Sequence, residues 1–213
     1  MADPFDGARA NWTGTFAELV EAGTPTPGGG SVAAYSGRLA AALGRMMCNI
    51  TIGKKKYVDV EPRLREINSE LERLSARLEA LVYEDAESFE AVLAAYRLPK
   101  EDGDEKAARD EAVSVAGRRA IYTPYETARS SFEVLKLLAE LGEIGNQNAL
   151  SDVTVGAQLA LVAVQGALYN VAANLGMLKD EEEASGLRQG MTELVEQSKG
   201  MARQLESKMM AGL

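Results

Sequence analysis

The 213-residue chain contains no histidine. That single absence excludes His-ligated zinc sites and Ser-His or Cys-His nucleophile pairs. Acid–base chemistry is left to Asp, Glu, Lys, Tyr or Cys. One cysteine, Cys48, permits no internal disulfide and fits a reducing cytoplasm. Without an imidazole to activate it, Cys48 reads as a small packing residue. No strand-like alternation, Gly/Ser linker or internal repeat is found, which leaves one domain over residues 1–213. A net charge of −9 argues against a nucleic-acid partner. Met1-Ala2-Asp3-Pro4-Phe5 lacks the basic and apolar regions of a secretory leader. The segment from Ser31 to Ile52 is long enough to span a bilayer. Arg38 and Arg45 lie inside it, and Ala and Gly stand where Leu would be expected. It reads as a buried or dimer-facing helix, not a membrane span.

What is present is helical. Thr15-Phe16-Ala17-Glu18 has the form of a capping box, opening a short helix that stops at Gly23. Ser31 reads as the N-cap of a small-residue helix ending near Gly53. Pro62 suits a first helical position, and from there a pattern runs to about Arg97. Its stripe, Ile67, Leu71, Leu74, Leu78 and Leu81, steps by four and three, so this helix is expected to be the spine of a bundle. A helix from about Glu105 to Ile121 is predicted next. Thr123-Pro124-Tyr125-Glu126, a second capping box, is read as starting another that stops at Gly142. Gly145-Asn146-Gln147-Asn148 forms a loop and Ser151 a cap. A second small-residue helix runs from Asp152 to Leu178, and Asp180 to Glu183 open a final amphipathic helix to about Met210. The fold class is all-α, a multi-helical bundle with one long spine. The two Ala/Gly-rich helices and the excess length of the spine point to a homodimer.

The stretch from Pro25 to Tyr57 carries the clearest chemistry. Three glycines, Gly28, Gly29 and Gly30, allow close backbone approach. The free amides of the helix they precede attract anions. At its far end come Lys54, Lys55 and Lys56, on a protein otherwise acidic. Each piece alone also fits a loop, a cap or a solvated helix end. The Gly-x-x-x-x-Gly-Lys-[Ser/Thr] nucleotide loop is excluded, because position 48 is Cys and Lys54 is followed by Lys55. Asp85 breaks the spine's rule by placing a carboxylate at an apolar seam position. Burial there raises its pKa or demands a cationic partner. Asp152 lies in a first helical turn, where the charged form is favoured. Arg38 and Tyr57 could bind an anion or cover apolar surface, and Asn146 suits a loop.

Together, Pro25-Thr26-Pro27-Gly28-Gly29-Gly30-Ser31, Gly53-Lys54-Lys55-Lys56-Tyr57, Asp85-x-x-x-Phe89, Leu98-Pro99-Lys100 and Gly145-Asn146-x-x-x-x-Ser151-Asp152 resemble the formiminotetrahydrofolate cyclodeaminase/methenyltetrahydrofolate cyclohydrolase family. The resemblance implies an all-helical, cytoplasmic homodimer acting on a one-carbon tetrahydrofolate, with no metal and no permanently bound cofactor. It implies the stand-alone bacterial form, without the formiminotransferase domain fused to some relatives. Formiminotetrahydrofolate cyclodeamination is the expected reaction, with methenyltetrahydrofolate cyclohydrolysis at the same site as the alternative. A non-catalytic helical scaffold is the more remote one. On this reading Asp85 transfers protons, Asp152 stays ionised beside the ligand, and Lys55 joins them as a third catalytic residue. Gly28, Gly29, Gly30, Ser31, Arg38, Lys54, Lys56, Tyr57, Asn146 and Ser151 bind substrate. The lysines and Arg38 receive its glutamate or polyglutamate tail. All these groups are expected to converge on one pocket.

Overall fold

A computed structural model describes residues 14–211, so the Met1–Phe5 stretch lies outside the described residues. Six α-helices follow one another: α1 (Gly14–Glu21), α2 (Gly29–Thr51), α3 (Glu61–Tyr96), α4 (Gly103–Ile144), α5 (Leu150–Asn174) and α6 (Glu181–Met210). Short 3-10 turns at Lys55–Tyr57, Gln147–Ala149 and Leu175–Met177 complete the order, and no strand occurs among the described residues.

The long helices alternate in direction, and cross-helix pairs define their register. Arg38–Glu79 and Arg45–Glu72 link α2 to α3, each partner displaced by seven residues from one pair to the next. Arg63–Glu140, Arg77–Glu126 and Arg119–Glu87 link α3 to α4. Inside these ladders the predicted stripe is buried: Ile67, Leu71, Leu78 and Leu81 are fully enclosed with Leu135, Leu138, Val153 and Ala157. Burial of this kind stabilises by about 1.5–3 kcal/mol per large side chain. α1 docks on α2 through Phe16 and Tyr35, whose rings lie 4.9 Å apart.

Small residues set the spacing. A Cβ on Gly44 would lie 2.7 Å from Leu71 Cδ1 and 2.9 Å from Leu138 Cδ2, so α2 packs closer than any larger residue would allow. The stretch Gln147–Met177 is long and apolar enough to cross a bilayer by length and composition. In the bundle its Ala157, Ala160, Ala163 and Val164 are fully buried.

Three expectations about element starts are corrected. α2 begins at Gly29 with extended Gly28 as its cap, so Ser31 is the third helical residue and spends its hydroxyl on α3. Ser151 likewise lies within the first turn of α5, preceded by Ala149 at the cap position. The loop before it is closed instead by Asn146, whose Oδ1 accepts from Asn148 N. Finally, Thr123-Pro124-Tyr125-Glu126 starts no helix: α4 runs through it unbroken for 42 residues. Pro124 has no N–H for the carbonyl of Ala120, but Asn174 Nδ2 donates to that oxygen at 3.0 Å. Tertiary context mends what the local signal would have broken.

Candidate active site

Asp85 sits where the spine meets the start of α2. The backbone at Gly29 and Gly30 is helical, and a Cβ on Gly30 would fall 2.1 Å from Asp85 Oδ1. Only glycine leaves the carboxylate its place. Ser31, fully buried, has its Oγ 3.0 Å from Asp85 Oδ2 and 3.0 Å from Val82 O. Ser88, the next seam residue, is buried too and donates to Asp85 O at 2.8 Å. Burial pushes the Asp85 carboxyl above the ordinary carboxylate range, and the bonds from Ser31 offset this only in part. No cationic side chain pairs with it among the described residues, so of the two outcomes open to a carboxylate at a seam position, a raised pKa or a cationic partner, it is the first that the structure shows.

A cleft of about 220 Å³ opens in front of this carboxylate. Pro25, Gly28, Gly29, Gly30, Ser88 and Phe89 line it with Asp85, facing Ala120 of α4 and Asn170 and Asn174 of α5. The loop that leads in carries a cis Thr26–Pro27 peptide. Asn170 and Asn174 carried no local signal, because nothing short of the tertiary fold brings the end of α5 to the triple glycine. Sequence reasoning missed both.

The other predicted residues gather at the opposite end of α2. That helix has 23 residues, so at ~1.5 Å each its two ends are about 35 Å apart. Gly53 turns the chain with φ +81°, and Lys54, Lys55 and Lys56 follow, all exposed. They form no ion pair among the described residues, and Lys56 Nζ lies 5.4 Å from the Tyr57 ring centre. Tyr57 OH lies 3.5 Å from Oδ1 of Asn146, which is buried. Asp152, partly buried, and exposed Ser151 occupy the first turn of α5 at this same end. Arg38 lies midway along α2, paired with Glu79 at 3.3 Å. Within one chain, therefore, Gly28 to Ser31 and Asp85 form one group, and Lys54 to Tyr57, Asn146, Ser151 and Asp152 another. The single convergent pocket expected from sequence is not formed by one protomer.

Cys48 is fully buried on α2, and burial pushes its thiol up to about 11, in keeping with a packing role. Among the described residues no group of three or more Cys, Asp or Glu side chains is disposed to hold a metal ion.

The outer face of α2 and α5 is of a different character. Val32, Leu39 and Met46 are exposed at seven-residue steps on α2, and Val155, Val162 and Tyr169 at the same steps on α5. The remaining exposed residues of these helices, among them Ala42, Ile50, Gln158 and Ala172, add no charge.

Against known proteins, residues 13–193 match the family model of formiminotransferase-cyclodeaminase. The chain is 41% identical over 166 residues to a methenyltetrahydrofolate cyclohydrolase of Methylorubrum extorquens, covering 78% of this chain and 80% of that one. It is 33% identical over 187 residues to the formimidoyltransferase-cyclodeaminase of Rattus norvegicus, spanning 88% of this chain but only 35% of the rat protein. The crystal structure of a formiminotetrahydrofolate cyclodeaminase from Thermotoga maritima aligns with a TM-score of 0.75 at 31% identity, covering 91% of each chain. Sequence and fold agree over nearly the whole length, and the chain belongs to the formiminotransferase-cyclodeaminase family.

Proposed function

We propose that the chain is a one-carbon tetrahydrofolate enzyme acting on the carbon that bridges N5 and N10. Its reaction on this reading is hydrolysis of 5,10-methenyltetrahydrofolate to 10-formyltetrahydrofolate. The observation that carries it is Asp85: a carboxyl with raised pKa, no cationic partner among the described residues and a place on a cleft wall. The 41% likeness to a methenyltetrahydrofolate cyclohydrolase supports the reaction. Formiminotetrahydrofolate cyclodeamination at the same site is the second reading, supported by the likeness to the Thermotoga cyclodeaminase. No permanently bound cofactor takes part, since the folate is itself the substrate. A single buried cysteine suits a cytoplasmic setting, and net charge −9 suits no nucleic-acid role.

In cyclohydrolysis water adds to the methenyl carbon and Asp85 takes one of its protons; the remaining hydroxyl proton is released to solvent as the formyl C=O forms, and N5 departs carrying the proton held by Asp85. In cyclodeamination N10 attacks the formimino carbon and passes its proton to the imino nitrogen, and protonated Asp85 gives a second, so that the nitrogen leaves as ammonia. Both need a group able to hold and release a proton near neutral pH, and such groups contribute about 10²–10⁴-fold. Ser31 suits this role as an accessory. Its one proton has two acceptors at 3.0 Å. It donates to Asp85 when the carboxylate is charged, and to Val82 O when Asp85 carries the proton and donates to Ser31. Either charge state is satisfied by rotation of one hydroxyl.

A cleft of about 220 Å³ takes a bicyclic head group but not a whole folate, since sites for such ligands run to ~300–1,000 Å³. A homodimer completes it. The uncharged outer face of α2 and α5 is the surface for a second copy, as core interface patches are poor in charge. A twofold axis lying in that face can run along the helices or across them. Along them, it would bring six lysines together. Across them, it sets the Asp85 end of one protomer beside the Lys54 to Lys56 end of its partner, which electrostatics favours. Asp85 and the glycines of one chain then handle the pterin and the one-carbon unit. Lys54, Lys55, Lys56, Tyr57, Asn146 and Asp152 of the other take the rest of the substrate and its glutamate tail.

The test follows methenyl absorbance with purified protein, starting once from methenyl- and once from formiminotetrahydrofolate. Co-expression of an Asp85→Asn chain with a Lys55→Ala/Lys56→Ala chain tests the shared site. Mixed dimers would carry one intact site and regain activity at low substrate. No gain over the parent variants would place both ends of the site in one chain. No turnover of either folate would return the chain to the scaffold class.

A further inference from the structure

Pro124 is a residue whose cost the fold could avoid with almost any other side chain, for it removes a hydrogen bond from the middle of the 42-residue helix α4. The carbonyl left without its helical partner is that of Ala120, and Ala120 lines the Asp85 cleft. Asn174, at the last residue of α5, reaches across and donates Nδ2–H to this oxygen at 3.0 Å. An amide that gives one N–H to a fixed backbone carbonyl cannot flip, so its oxygen is fixed as well. One turn earlier, Asn170 is held in the same way by Gly166 O at 2.8 Å. Both asparagines line the cleft. Among the described residues no hydrogen bond to either Oδ1 is found. Two acceptor oxygens on α5 therefore stand free across the cleft from a carboxyl on α3.

We propose that Asn174 is a substrate-binding residue, positioned by the carbonyl that Pro124 leaves free. With Asn170 it accepts hydrogen bonds from the amino and ring N–H edge of the pterin. This rests on the folate reading above and deepens it, adding the end of α5 to the glycines and Asp85 that handle the head group. Pro124 is a positioning residue that acts through Asn174. A pterin presents adjacent N–H donors on its pyrimidine edge, and paired fixed acceptors match that pattern. An analogue lacking those donors would leave the oxygens unsatisfied.

A double-mutant cycle tests this. Pro124→Ala restores a backbone N–H for the Ala120 carbonyl, so the variant should melt at a higher temperature than the parent. It should nevertheless bind folate more weakly, because Asn174 is released. Asn174→Ala should lower Tm in the parent, where it orphans that carbonyl, and leave Tm unchanged in the Pro124→Ala background. In the parent it should raise KM by about five- to tenfold, the worth of one hydrogen bond of this kind, and by less in the Pro124→Ala background, where Asn174 has already lost its positioning, with kcat moving less than twofold in either. Asn174→Asp in the Pro124→Ala background should recover part of that KM, because it restores an acceptor where no donor is now required. Tm changes that simply add would overturn the Pro124–Asn174 coupling. A KM equal to the parent's in the Asn174→Ala variant, with the parent turning over folate normally, would overturn the ligand role alone. A parent enzyme that neither binds nor converts folate would overturn the folate reading and this ligand assignment together, while the Tm cycle still judges the coupling.

Discussion

The two ends of α2 face opposite problems. At Gly28 to Ser31 the fold gathers three helices around one carboxyl, buries its neighbours and, among the described residues, gives it no cation. At Lys54 to Lys56 it leaves three ammonium groups in water with no internal ion pair among the described residues. The first end raises the free energy of a charge and so prepares a proton transfer. The second holds charges that need no burial to work, since attraction of a distant anion is a field effect. On the proposed reading chemistry and capture are separated along a single helix, and a second chain set antiparallel would bring them together.

The strongest way to break this contrast is Asp85→Asn. If the first end is the reacting one, kcat should fall by about 10²–10⁴-fold while KM changes little. Stability should move the other way. A raised pKa means the native state holds this proton more tightly than the unfolded chain does. Ionising Asp85 therefore costs stability as pH rises from the ordinary aspartate range through the raised native value, and costs nothing below that range. The variant should thus melt above the parent at neutral pH, with the advantage shrinking as pH is lowered through the carboxylate range. Thermal unfolding at stepped pH beside a kcat measurement checks both signs. A variant of unchanged turnover removes Asp85 from the reaction.

A pair of glycines sharpens the same comparison. At Gly30 an added Cβ would meet Asp85 Oδ1 at 2.1 Å and Cγ at 2.6 Å. Gly30→Ala must displace the carboxyl, and misplacing a catalytic group by about 1 Å costs about 10²-fold. At Gly53 the Cβ would meet nothing within 4 Å, but φ is +81°. Gly53→Ala should cost about 1–2 kcal/mol of backbone strain and leave kcat alone. Equal effects of the two on kcat would erase the distinction between the ends.

Much of this was readable without coordinates. The seam Ile67 to Leu81 and the intrusion of Asp85 follow from a seven-residue rhythm, and the structure buries the whole seam and Asp85 in part. The start of the last helix at the acidic run from Asp180 was equally plain, and the structure makes Asp180 its cap, the side chain accepting from Glu182 N and Glu183 N. The errors came where a local signal was outvoted by a distant partner. Thr123-Pro124-Tyr125-Glu126 has every mark of a helix start, but a carboxamide fifty residues on repairs the break. α4 starts at Gly103, two residues before the predicted Glu105, because Asp102 caps it by accepting from Glu105 N. Ser31 makes a good cap on paper, and the proximity of Asp85 gives its hydroxyl better use. Asn170 and Asn174 were invisible, since asparagines late in an Ala-rich helix say nothing of what they face. The separation of the glycines from the lysines was legible, since a whole helix lies between them, but which end Asp85, Asn146 and Asp152 would join was not, because spacing along a chain does not tell which end of a helix a residue will meet.

The lysine end should respond in a different currency. Each exposed cation meeting a flexible carboxylate tail is worth about 0.2–1 kcal/mol, or roughly 1.4- to 5-fold in KM. Lys55→Ala and Lys56→Ala should therefore raise KM by that much each, more for polyglutamylated than for monoglutamyl substrate. The effect should fade as salt rises through physiological strength. Steady-state kinetics against tail length and ionic strength is the measurement. A fall in kcat at saturating substrate would move these residues into the reacting end.

The smallest expected effect belongs to the ground between the ends. Ser131 on α4 is fully buried opposite Gly37 and Leu78, and its Oγ has no hydrogen-bond partner among the described residues. An unpaired buried hydroxyl costs about 1–3 kcal/mol of desolvation, while the cavity left by deleting one oxygen returns part of that cost. Ser131→Ala should then be neutral or stabilising by up to about 1 kcal/mol, with kcat and KM both unchanged. Chemical denaturation read beside both kinetic constants tests it. Were either constant to shift, the middle of the bundle would be transmitting strain to an end, and the two ends could no longer be treated as independent halves of a site.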